Sequence, residues 1–124
     1  MCIRDSTYGA MVHKCLEVKE RLSTHDIDAR VIDLRTLQPL DDDTIMKSVR
    51  ACGKVLLVHE DTRTGGLAGE ITARINEQAF EWLDAPITRV TAKDAPVPFN
   101  KGLETAFFPQ IDDIELAAKR LVEY

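Results

Sequence analysis

The residues best suited to chemistry sit together in one short stretch. His59-Glu60-Asp61 is followed by Gly65-Gly66 and then Gly69. An imidazole beside two carboxylates could exchange protons. A glycine turn that feeds a helix could hold an anion on free backbone N–H groups. The spacing matches neither the dinucleotide fingerprint nor a Walker loop, which needs Gly-Lys followed by Ser or Thr. The acidic pair would also repel phosphate. The plainer expectation is a glycine loop that lets a strand and a helix pack closely. On that reading His59, Glu60, Gly65 and Gly66 form a strand-end loop whose role, if any, is at an interface.

Other candidates reduce to structure. His13 lies beside Lys14 and His25 lies in a polar turn, so both are expected at the surface. Asp41, Asp42 and Asp43 precede an apolar-periodic run, so one should cap a helix and the others face its positive end, in place of a cation site. The cysteines, Cys2, Cys15 and Cys52, are scattered and odd in number. Neither a zinc site nor a disulfide framework is expected from them, which fits a reducing compartment. No carboxylate or thiol is spaced to complete a triad with a histidine. Catalytic, cofactor-binding and metal-binding residues are therefore all expected to be none.

The elements around these residues follow from periodicity. Met11, Cys15, Val18 and Leu22 predict a helix, and Val31, Ile32 and Leu34 a short strand. Pro39 breaks the chain before a helix over Ile45, Val49 and Cys52, with Gly53 at its C-terminal cap. Val55-Leu56-Leu57-Val58 is a continuous apolar run, the mark of a parallel strand covered on both faces. A third helix carries Leu67, Ile71, Ile75, Ala79 and Leu83, and a strand runs from Ile87 to Thr91. Asp94 to Pro109 holds three of the five prolines and reads as irregular. Ile111, Ile114, Ala118, Leu121 and Val122 form a final amphipathic helix. Met1 to Ser6 make a poor strand, because Arg4 and Asp5 interrupt any alternation; a non-native or frayed start is expected there, with the domain proper over 7–124. The alternation of helix and strand predicts an α/β domain, with a mainly parallel sheet between helical layers.

Composition narrows the function class. With 16 basic and 21 acidic side chains, the formal charge of −5 and the lack of a basic stripe argue against nucleic acid as a partner. No apolar run approaches the roughly 18 residues of a membrane span. Phe80, Trp82, Phe107, Phe108 and Tyr124 concentrate aromatic mass in the C-terminal third, among Glu81, Asp84, Asp112, Asp113, Glu115 and Glu123. Aromatic anchors with an acidic rim suit a basic protein surface. Phe80, Asp84 and Tyr124 are the expected partner-binding residues.

Several ordered blocks carry a resemblance. They are Val31-Ile-Asp-Leu-Arg-Thr-Leu-Gln-Pro-Leu-Asp, Gly53-Lys-Val-Leu-Leu-Val-His-Glu, Thr64-Gly-Gly-Leu-Ala-Gly-Glu-Ile, Asp84-Ala-Pro-Ile-Thr-Arg-Val-Thr and Asp94-Ala-Pro-Val-Pro-Phe. From about Thr7 to Tyr124 the chain resembles the C-terminal, transketolase C-terminal-like domain of the β subunit of the 2-oxo acid dehydrogenase E1 component, of branched-chain or pyruvate type. The resemblance implies a three-layer α/β/α sandwich. It implies a parent E1 that is an α2β2 heterotetramer using thiamine diphosphate and magnesium, neither held by this fragment alone, which is expected to be inactive. Its partners would be the E1 α subunit, a second β subunit and the small, basic subunit-binding domain of the E2 acyltransferase. Its setting would be the bacterial cytoplasm or, in a eukaryote, the mitochondrial matrix. The metal-binding Gly-Asp-Gly motif of the family is absent, so no catalytic residue carries over. Two other readings stand beside it: another transketolase-superfamily enzyme, and a free-standing anion- or nucleotide-binding α/β module using Gly65-Gly66.

Overall fold

A computed structural model describes residues 2–124. Four strands and five helices alternate: β1 (Cys2–Thr7), α1 (Met11–Ser23), β2 (Asp28–Asp33), α2 (Asp42–Ala51), β3 (Val55–Thr62), α3 (Leu67–Ala79), β4 (Thr88–Ala92), α4 (Lys101–Phe107) and α5 (Ile111–Glu123). A short 3-10 turn, Phe80–Trp82, follows α3. The strands pair in parallel, in the order β2-β1-β3-β4. Parallel neighbours need a crossover, and the helices supply it.

Helices lie on both faces, so the three-layer α/β/α architecture is the one observed. Along β3 the side chains alternate. Leu56 and Val58 pack with Cys15, Val18 and Leu22 of α1 and Ile114, Ala118 and Leu121 of α5. Val55 and Leu57 pack with Ile45 and Val49 of α2 and Ile71 and Ile75 of α3. Both faces are dry, which is why that stretch reads as unbroken apolar sequence.

Helix ends follow their local chemistry. The Asp41 carboxylate accepts the Thr44 N–H at 3.0 Å and so caps α2. Asp42 instead forms an ion pair with Arg74 of α3 at 2.8 Å, tying α2 to α3. Gly53 is not the residue that ends α2; Cys52 takes that place in extended conformation. Gly53 is needed for a different reason: an added Cβ would lie 2.6 Å from the Trp82 carbonyl oxygen.

Three expectations change. β3 runs on through Glu60 and Asp61 to Thr62, past the point where a loop was expected. The proline-bearing stretch contains α4, capped by Asn100, whose side chain accepts the Gly102 N–H at 2.9 Å. The largest change is at the start. Met1 lies outside the described residues, but Cys2–Thr7 is neither frayed nor at an edge: it is an inner strand, paired with β2 along its length and with β3 from Arg4 to Thr7. Backbone pairing on both sides holds a strand there whatever its side chains. The side chains fit badly. Asp5 is fully buried, and neither carboxylate oxygen has a hydrogen-bond partner.

Burial pushes the Asp5 carboxyl up to about 7. The folded state thus favours the protonated acid, while the unfolded chain ionises at the ordinary value near 3.8. Stability from this group is complete below the unfolded value and is lost as pH rises towards about 7. Asp5→Val is expected to raise stability at about pH 8 by about 1–4 kcal/mol. The gain should shrink as pH falls below 7, as read by urea unfolding across pH. An equal gain at every pH would mean that Asp5 is not buried as an acid.

Candidate functional site

The parallel sheet has two chemically different ends. At the carboxyl ends of the strands sit Tyr8, His59, Glu60 and the glycine loop. His59 is 1% exposed. Its Nδ1 accepts the Asp61 N–H at 3.1 Å, which leaves the proton on Nε2. Tyr8 stacks on the ring with centroids 6.0 Å apart and 14° between planes. Burial lowers the His59 pKa below the ordinary imidazole value; the charge of Asp61 opposes that shift and Arg89 reinforces it. His59 is therefore a neutral, packed ring at pH 7. Its Nε2 is buried without a hydrogen-bond partner. It is poorly suited to shuttle protons.

The glycine loop is shaped by close approach. A Cβ on Gly66 would lie 2.7 Å from His59 Cε1. Gly65 has open space around it but a φ of +76°, in the left-handed region. The loop is fastened by Asp94, whose two oxygens accept the Thr64 N–H at 2.8 Å and the Thr64 hydroxyl at 2.7 Å. Those bonds hold the Asp94 carboxyl below its usual range. This clasp joins two sequence blocks 30 residues apart, and spacing alone offered no sign of it. Glu60 is exposed at the same end, and a Cβ on Gly9 would sit 3.5 Å from its Oε1. The structure thus brings His59, Glu60 and Gly66 together as a packed corner. His13 and His25 are exposed and apart from it. Among the described residues no three His, Cys, Asp or Glu side chains gather as a metal cage.

The opposite end of the sheet carries the three expected partner-binding residues. Phe80 is 70% exposed and Tyr124 is 74% exposed, high values for large aromatic side chains. Asp84 is exposed, and its backbone N–H donates to the Gly53 carbonyl at 2.8 Å. Lys54, beside Gly53, donates through Nζ to the Val122 carbonyl at 2.7 Å, so the end of α5 is tied to the start of β3. Cavities of about 420 and 250 Å³ open on this end, the first lined by Trp82 and Asp84 with Arg50 and Lys54, the second by Pro86 and Tyr124 with Arg120. Trp82, half exposed, adds an aromatic group beside Phe80.

The chain is a four-stranded parallel α/β/α domain with a packed glycine corner at one end of the sheet and exposed aromatic and acidic groups at the other. Residues 7–114 match the family model described as transketolase, C-terminal domain, and the chain belongs to that family. It is 40% identical over 118 residues to the pyruvate dehydrogenase E1 component subunit beta of Bacillus subtilis (strain 168), covering 95% of this chain and 36% of the relative. It is 42% identical over 119 residues to the 2-oxoisovalerate dehydrogenase subunit beta of the same organism, with the same coverage. A solved chain titled split gene transketolase, inactive beta4 tetramer, superposes with a TM-score of 0.82 at 25% identity, over 98% of this chain and 38% of that one. The chain spans about a third of the length of these relatives.

The two loop glycines separate two physical causes. Gly66→Ala is expected to lower stability by about 1–3 kcal/mol through overlap with the Thr62 carbonyl oxygen and, behind it, the His59 ring. Gly65→Ala is expected to lower it by about 1–2 kcal/mol through backbone strain alone. Pairing Gly66→Ala with His59→Ala should recover part of the first loss and none of the second, as measured by double-mutant cycles in chemical unfolding.

Proposed function

We propose that this chain is the C-terminal domain of the β subunit of a thiamine-diphosphate-dependent 2-oxo acid dehydrogenase E1. Its work is β–β assembly and docking of the E2 acyltransferase through its subunit-binding domain. The observation that supports the docking reading is the exposure of Phe80, Asp84 and Tyr124 at one end of the sheet. A small basic domain complements that surface in shape class and charge. The identity of about 40% to pyruvate and 2-oxoisovalerate dehydrogenase β subunits supports the parent assignment.

The chain's own residues do not fit thiamine diphosphate or magnesium. The glycine corner is faced by Glu60 and Asp61, whose charge opposes a diphosphate, and its buried donor, His59 Nε2, is closed off behind Gly66. Cofactor chemistry in the parent belongs to parts of the enzyme beyond this domain, and the fragment alone is expected to be inactive. Its partners on this reading are the E1 α subunit, a second β subunit and E2. Bacterial relatives and relatives named mitochondrial support a parent in the bacterial cytoplasm or, in a eukaryote, the mitochondrial matrix.

The domain boundary at Thr7 is part of the same proposal. The family match begins at Thr7, and the strand before it buries an unpartnered carboxyl in an inner parallel position where apolar residues belong. Residues 1–6 are read as a non-native start, with the domain proper over 7–124. A transketolase of another kind, supported by the split-gene neighbour, is the second reading; assaying the parent for acyl transfer and ketol transfer separates the two.

Calorimetric titration with the subunit-binding domain of an E2 should give micromolar or tighter binding that weakens with salt. Asp84→Lys should reduce the affinity by about 1 kcal/mol or more. Unchanged affinity in that variant would remove Asp84 from the surface. No binding by a folded chain and by its parent β dimer would overturn the docking role.

A further inference from the structure

Among the described residues β4 is the last strand of the sheet, with β3 on one side and no strand on the other. A free edge presents backbone N–H and C=O groups in a row, ready to pair with an added strand. A cleft of about 450 Å³ runs along this edge. Val90 and Leu116 are apolar groups on its lining, and Arg63, Arg89, Lys93 and Arg120 also face it.

These four cations are unusual in a chain of net charge −5. None of them forms a salt bridge among the described residues. The Arg63 and Arg89 guanidinium groups each donate to the other's backbone carbonyl at 3.4 Å, so an added strand would have to displace Arg63 from the Arg89 carbonyl of β4. Two carboxylates also lie on the cleft: Asp94 holds Thr64 and feels the charge of Arg63, and Asp113 accepts the Gln110 N–H at 2.9 Å as part of the cap of α5; the cations outnumber them. Charge on an edge strand also guards against aggregation. Guarding does not require a concave cleft with an apolar lining, nor four cations converging on it.

We propose that the β4 edge takes an extended acidic segment of a partner protein as a fifth strand. Backbone groups would pair with β4, carboxylates would meet the four cations, and an apolar side chain would cover Val90 and Leu116. This occupant is opposite in charge to the basic domain expected at Asp84; because Arg120 borders both the β4 cleft and the Tyr124 cavity, Lys93→Glu alone, away from that cavity, separates the two readings.

The test uses the 124-residue chain and a fluorescein-labelled alternating Glu-Val peptide of about eight residues, near the length of a common strand. Fluorescence anisotropy at about 50 mM NaCl should show saturable binding that weakens about tenfold at about 300 mM. The exposed pair Lys93→Glu with Arg120→Glu should weaken it about tenfold or more, with unfolding curves confirming the fold. A peptide N-methylated at alternate residues should bind about tenfold more weakly, because it cannot complete the ladder. The proposal is overturned by a folded chain that fails to bind, or by binding that ignores the charge reversals. Binding that ignores N-methylation, or pyrophosphate that displaces the peptide with equal affinity, would also overturn it by showing a simple anion site. Self-association that the charge reversals abolish would give the edge to a second copy and overturn it as well.

Discussion

The structure depends on one constraint, which is that its two inner strands must be satisfied on four sides at once. β1 and β3 have strand neighbours on both edges and helices on both faces. Every backbone donor and acceptor in such a strand needs a partner, because none can reach water. Every side chain must then be apolar or paired. β3 meets the demand with Val55, Leu56, Leu57 and Val58, each 1% exposed or less. β1 meets the backbone half and fails the side-chain half at Asp5, where burial leaves a carboxyl with no bond to make. The same rule therefore explains both the most conventional strand in the molecule and its least comfortable one.

From that sheet the functional surfaces follow by direction. Parallel strands send all their carboxyl ends one way. The corner formed by Tyr8, His59 and Gly66 sits there and is closed by stacking and by the Thr64–Asp94 clasp. A position where open α/β sheets commonly bind ligands is here filled by the protein's own side chains. What remains open is the other end, where Phe80, Trp82 and Tyr124 stand exposed, and the β4 edge. Exposed aromatic groups and an unpaired edge are both costly to leave bare, and both are satisfied by protein contacts. The chain spans about a third of the length of the relatives it matches.

Much of this was legible in the residues. Period-3.6 stripes marked α1, α2, α3 and α5, because a helix facing a sheet must carry apolar groups one turn apart. Four apolar residues in a row marked β3 as inner and parallel. The ordered blocks from Val31 to Phe99 indicated the family. α4 was hidden among prolines, since those at 96 and 98 precede its Asn100 cap and leave the seven-residue helix itself free. β1 was hidden because its place in the sheet comes from backbone pairing, which side-chain alternation does not report.

The sequence by itself therefore determined the class of fold, the helical faces and the inner strand. Each of these depends on periodicity or residue type within a short window. Only the tertiary structure decided that His59 is a buried, neutral ring, that Thr64 clasps Asp94, that Phe80, Asp84 and Tyr124 share one end of the sheet, and that four cations meet at the free edge of β4. Those are facts about residues far apart in the chain. They are set by the order in which parallel strands assemble, and strand order is not written in any local pattern.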